Sequence, residues 1–192
     1  MSAASVWNTP VSLSDWGLVF AHPTKKSEFD HYFSGSYFLT QFTTWDAYEK
    51  EIAADFTQLF APLQSAGLTV YAAANLRALC LAAQRHRCVV VIAHCESGDK
   101  IELGAELIKV NRLAYRLPKK TGAIYDYSVC RLSSKSFETL KRRSPKSGIV
   151  GYTSKIDARA SINYVGHFLS QFIGEPVSYA RAELSAKKKF LT

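Results

Sequence analysis

Five apolar residues, Val89–Ala93, run without a break behind Cys88, and the polarity changes abruptly at His94. A second run, Gly122–Val129, has the same character and ends at Cys130. Both spans have the length and the β-branched and aromatic content of strands. Around them, short apolar runs alternate with segments of helical periodicity. Trp16–His22, Leu68–Tyr71 and Gly148–Tyr152 read as further strands. The segment 43–64 reads as a helix capped by Thr43 or Thr44. A second helix starts at Asn75, and Glu106–Leu117, Ala158–Phe172 and Val177–Ala186 read as three more. Alternation of this kind specifies an α/β fold, a three-layer α-β-α sandwich around a mostly parallel sheet. Right-handed crossovers then bring every strand C-terminus to one edge, where open α/β sheets bind ligands. His94 and Cys130 both fall on that edge.

A chain of 192 residues with 47% hydrophobic residues fits one domain over 1–192. Residues 1–15 read as an irregular lead-in and 187–192 as a basic tail. No apolar run reaches the ~20 residues of a membrane span, and no charged-then-apolar leader opens the chain. Cys80, Cys88, Cys95 and Cys130 lack the spacing of a disulfide framework, so reduced thiols and a cytoplasmic setting are expected. Cys80, with Leu76, Leu79 and Ala83, reads as a small core residue.

The net charge of +8 is uneven. Between Arg131 and Lys146, six basic residues face one acid, Glu138. This charge suits nucleic acid, an acidic partner or an anionic surface, and equally a solvated loop. No recognised nucleic-acid motif accompanies it.

The chemistry-bearing pair is His94 and Cys130. A thiol attacks a carbonyl as thiolate, and a neighbouring imidazole can take its proton and pass one to a leaving amine. Both residues also have ordinary structural roles, as a small buried thiol and a loop-bonding histidine. A metal site at His94, Cys95, Glu96 and Asp99 would lack the usual zinc ligand spacing. No Walker loop, dinucleotide glycine motif or serine-hydrolase elbow is present, so neither cofactor nor metal is expected.

The segment VVVIAHCESGDKIELGAELIKVNRLAYRLPKKTGAIYDYSVC, followed by RLSS and later by GIVGYTSKIDARASINYVGHFLSQFIGEPVSYARAEL, resembles the core of a CHAT domain. That family belongs to the caspase-like clan of cysteine peptidases, which includes separase. The resemblance covers roughly residues 68–186. It implies a caspase-like sheet, His94 as general acid/base, Cys130 as nucleophile, and the backbone N–H groups of Cys95 and Cys130 as oxyanion donors. Ser128, two before the nucleophile, and Asp126, deeper on the same strand face, are the candidates for the substrate pocket. The family usually carries glycine where this chain has Cys95. The expected function is a regulated cysteine endopeptidase acting on a protein substrate, with an activating partner and a role in bacterial defence among the family's associations. The alternatives are a catalytically silent CHAT-like scaffold and a nucleic-acid-binding domain using residues 131–146.

Overall fold

The apolar runs become strands, and their order fixes the sheet. A computed structural model describes residues 3–129, 132–152 and 157–190. Helix α1 (Ala3–Asn8) and strand β1 (Pro10–Val11) lead through a 3-10 turn into β2 (Trp16–Phe20). Then follow α2 (Lys26–Tyr32), α3 (Trp45–Tyr48), a π-helical turn (Glu49–Ala53) and α4 (Ala54–Ser65). Next come β3 (Thr69–Tyr71), α5 (Leu76–Arg85) and β4 (Cys88–Ala93). Three short strands, β5 (Cys95–Glu96), β6 (Lys100–Leu103) and β7 (Glu106–Lys109), precede α6 (Val110–Arg116). The order closes with β8 (Ile124–Val129), α7 (Ser134–Arg143), β9 (Gly148–Gly151), α8 (Ala158–Ser170), β10 (Val177–Ser178) and α9 (Tyr179–Phe190).

The central sheet has the order β3-β2-β4-β8-β9, with every pairing parallel. Its three inner strands are buried along their whole length, which is why they read as unbroken apolar runs. The period of two divides them between two cores. Trp16, Leu18, Phe20, Val90, Ile92 and Ile124 face the layer of α4, α8 and α9. Val89, Val91, Ala93, Tyr125, Tyr127 and Val129 face α5, α6 and α7. The three-layer α-β-α architecture follows from this division. Trp16 anchors the first core, fully buried with its ring centroid 5.3 Å from Phe168 and 5.2 Å from Phe172. Each such aromatic pair adds ~1 kcal/mol beyond area burial.

Two helix starts behave as their residues dictate. Thr44 accepts the N–H of Ala47 at 3.3 Å and Asn75 that of Ala78 at 3.0 Å. The structure departs from expectation at five places. Residues 3–15 carry regular elements rather than an irregular lead-in, because Val6, Val11 and Leu13 are buried and β1 pairs antiparallel with β10. Glu106–Lys109 is a strand, not the start of a helix. Gly104, at φ +62°, opens a two-residue turn that folds β7 back on β6. Val177 and Ser178 are likewise strand rather than helix, because they pair with β1. Cys80 sits half-buried at the seam between α5 and α6, its Sγ 3.8 Å from the Arg116 carbonyl, while Ala82 takes the inward position. The expected basic tail is in part the last turns of α9, where Lys187 bonds Glu183 at 2.8 Å. Among the described residues no helix is long and apolar enough to cross a membrane.

Candidate active site

Strands β4 and β8 run side by side in register from Cys88–Ile124 to Ala93–Val129. His94 is therefore the first residue beyond one strand end, and the paired strand ends at the residue before Cys130 in the chain. Cys130 and its backbone N–H lie outside the described residues, as does Arg131. Cys95, the other expected oxyanion donor, begins β5. It is buried and stands opposite Ile101. Among the described residues no disulfide forms.

The His94 ring is half-buried under two aromatics. Tyr37 stacks on it at 5.3 Å between centroids and 24° between planes, with Phe38 at 6.0 Å and 29°. Burial pushes the imidazole below its ordinary pKa, and the Glu96 charge partly counters this. The neutral form that a general base requires is thereby favoured. The His94 carbonyl accepts the N–H of Glu102 at 2.9 Å.

Glu102 also holds the aromatic cover. Its carboxylate is 2% exposed, accepts the Ser36 hydroxyl, and accepts the Phe38 N–H at 3.1 Å. Ser36 Oγ in turn accepts the Leu39 N–H at 3.0 Å. One buried side chain thus ties the loop bearing Tyr37 and Phe38 to the strand that bonds His94. Burial pushes the Glu102 carboxyl up, against the pull of these hydrogen bonds.

A second histidine stands at the same rim. Phe20 pairs with Ile92, and both strands continue Ala-His, to His22 and His94. His22 is buried, with its ring centroid 4.2 Å from that of Phe38, and desolvation pushes its pKa down to about 3. The apolar run ending in Ala-His was a visible signal for it, and only the β2–β4 pairing gives it meaning.

These groups border a cavity of about 1200 Å³ at the C-terminal rim of the sheet, lined by His22, Phe38, His94, Cys95, Ser128 and Arg159 among others. This exceeds the ~300–1000 Å³ of common small-molecule pockets and suits an extended ligand. The π-helical turn supplies Glu51 and Ile52 to one wall, and the start of α8 supplies Asp157 and Ser161. Also in the lining, Ser97 at φ +57° and Gly98 at φ +77° hold the turn after β5 in the left-handed region.

Of the two candidate pocket residues, Ser128 lines the cavity and shares a 2.5 Å hydrogen bond with Ser161. Asp126 does not line it. It is buried toward α9, where it accepts the Tyr179 hydroxyl at 2.6 Å, and burial pushes its carboxyl up to about 6. A carboxylate packed under a closing helix supports the strand and does not reach a ligand. Among the described residues no group of three His, Cys, Asp or Glu side chains gathers as a metal site would need.

No protein-family model matches the chain, and no curated protein matches it. Chemically, the rim provides an imidazole whose neutral form burial favours, a fixed aromatic cover and an open cleft.

Proposed function

We propose that the chain is a cysteine endopeptidase of the CHAT-like kind. The observation that carries this reading is the in-register pairing of β4 with β8, whose last pair is Ala93–Val129, the residues preceding His94 and Cys130. The thiol of Cys130 loses its proton to His94 and attacks the scissile carbonyl. The backbone N–H groups of Cys95 and Cys130 stabilise the oxyanion. His94 returns the proton to the departing amine, and water then releases the acyl group from sulfur with His94 as base. The neutral imidazole and the cleft size support this assignment. Thiols that carry chemistry persist in a reducing compartment, so the cytoplasm is the proposed setting. A protein partner that orders the rim would be its regulator, and bacterial defence its context.

A second reading, a catalytically silent domain of the same kind, is favoured by one feature: Cys95 stands where the resembled family carries glycine. The test compares the parent chain with Cys130→Ala and His94→Ala on a proteome-derived peptide library. Cleavage by the parent, lost in both variants, supports the peptidase. Full-rate cleavage by Cys130→Ala overturns it. Failure of an electrophilic peptide probe to label Cys130 favours the silent domain. Cys88, buried with its thiol pushed up to about 12, gives little background to such a probe.

A further inference from the structure

The fold gathers the positive charge into one layer. Between Lys109 and Lys146 the chain carries eleven Lys and Arg against two acids, one of them the buried Asp126, while the whole chain has net charge +8. The remainder of the molecule is therefore close to neutral. Along the chain only the later part of this span stands out as a basic cluster, but α6 packs against α7 on the same face of the sheet. The Arg143 guanidinium lies 3.6 Å from the Tyr115 ring centroid across that seam. Arg112 and Arg116 of α6, Lys135 and Arg142 of α7, and Lys119 and Lys146 of the adjoining turns are all exposed. Few acids offset them: Glu106 bonds Arg112 at 2.9 Å, and Glu138 lies 3.7 Å from Lys141. The opposite layer instead matches its charges, with Arg159 on Asp55 and Lys187 on Glu183.

We infer that the α6–α7 face docks on the phosphate backbone of duplex DNA, independently of the peptidase reading. The charge is spread along two helices and their turns, which suits a polymer with regularly spaced anions. Helix α7, 10 residues and so ~15 Å long, spans about four phosphate steps of one strand. It packs on α6 and edge strand β9, and Lys135, Lys141 and Arg142 on its other side are exposed. B-form DNA admits a helix to its ~12 Å major groove, whereas the A-form groove of duplex RNA is too deep and narrow for side chains to read. Single strands are held by successive bases stacking on several aromatic rings, and among the described residues this face exposes one large ring, Tyr115, with Arg143 against one side of it. Among the described residues α7 exposes no large apolar side chain, so it lacks what a membrane-surface helix would insert.

The test is fluorescence anisotropy of the full chain with a 20-base-pair DNA duplex, over roughly 50–200 mM salt. The parent should bind with affinity falling steeply with salt. Lys135→Glu/Arg142→Glu should weaken binding at least ~10-fold and flatten the log–log salt slope by about 2, close to one unit per lost phosphate contact. Lys135→Gln/Arg142→Gln should weaken it in the same direction, and Lys50→Glu, outside this layer, should leave it unchanged. Far-UV melting of each variant checks the fold. Absence of binding at 50 mM salt, an unchanged slope in both double variants, or tighter binding to duplex RNA or to phosphatidylserine vesicles would overturn the proposal. The His94→Ala and Cys130→Ala variants should bind DNA as the parent does, so failure of the peptidase reading leaves this one standing.

Discussion

His22 and His94 occupy equivalent positions on neighbouring parallel strands, two residues beyond the paired Phe20 and Ile92, and the ring of Phe38 packs near both. Desolvation holds His22 neutral, with a pKa of about 3 against an unfolded value of 6.5. Between those values the unfolded chain binds a proton that the folded chain refuses. The stability that neutral His22 contributes is therefore fully present above about pH 6.5 and is lost as pH falls toward 3, by up to roughly 5 kcal/mol. His94, also pushed down by burial, acts with the same sign. Urea unfolding of the parent from pH 7 to 4 should show this loss. In His22→Gln the same curve should be shallower, by up to about 1.4 kcal/mol per pH unit. Parallel curves would contradict the burial of a neutral ring.

Asp126 works in the opposite direction. Its carboxyl is pushed up to about 6 from 3.8, so the folded chain keeps a proton that the unfolded chain releases. The associated stability is present below about pH 3.8 and is lost as pH rises through 6, by roughly 3 kcal/mol. Asp126→Asn retains an acceptor for Tyr179 and removes the titration. The stability of this variant relative to the parent should improve by about that amount between pH 4 and 7. A pH-independent difference would show that the carboxyl titrates normally.

Glu102 is expected to act on His94 through the loop it anchors. Glu102→Ala leaves the Ser36 hydroxyl and the Phe38 N–H without their acceptor, and should cost roughly 2–3 kcal/mol in chemical denaturation. If the carboxylate also positions the aromatic cover, the His94 pKa read by NMR should rise toward 6.5 in the variant. A stability loss with an unmoved His94 titration would reduce Glu102 to a purely local brace.

How much of this was legible in the chain depended on the range of the interaction. The Val89–Ala93 run announced a strand because burial on both faces leaves no polar position in it. The parallel order followed from the helices between strands. His22 carries the same Ala-His ending as His94, yet nothing local says that β2 and β4 are neighbours. Nothing near Glu102 in the chain marks it as an anchor, since its partners Ser36 and Phe38 are 66 and 64 residues away. Residues 106–109 misled through apolar content that fits both periods, and Gly104 was the cue that a turn intervenes. Asp126 shares a strand face with Ser128, as the period of two requires, but the position of Tyr179 decides that it supports the fold rather than the cleft.

The N-terminal segment also makes a testable contact. A methyl group on Gly148 would meet the Trp7 ring at 2.5 Å, closer than side-chain carbons approach. Gly148→Ala should therefore destabilise the protein by about 1–3 kcal/mol, and Trp7→Leu should recover part of that loss in a double-mutant cycle. Additive effects would mean that the segment is not seated on β9.

The dyad itself is tested most directly by the pH dependence of Cys130 alkylation, followed by mass spectrometry in the parent and in His94→Ala. A thiol activated by the imidazole should react with a midpoint well below the ordinary ~8.5, and this midpoint should move up toward that value when His94 is removed. An ordinary midpoint near ~8.5 in both proteins would contradict the assignment of His94 and Cys130 as partners.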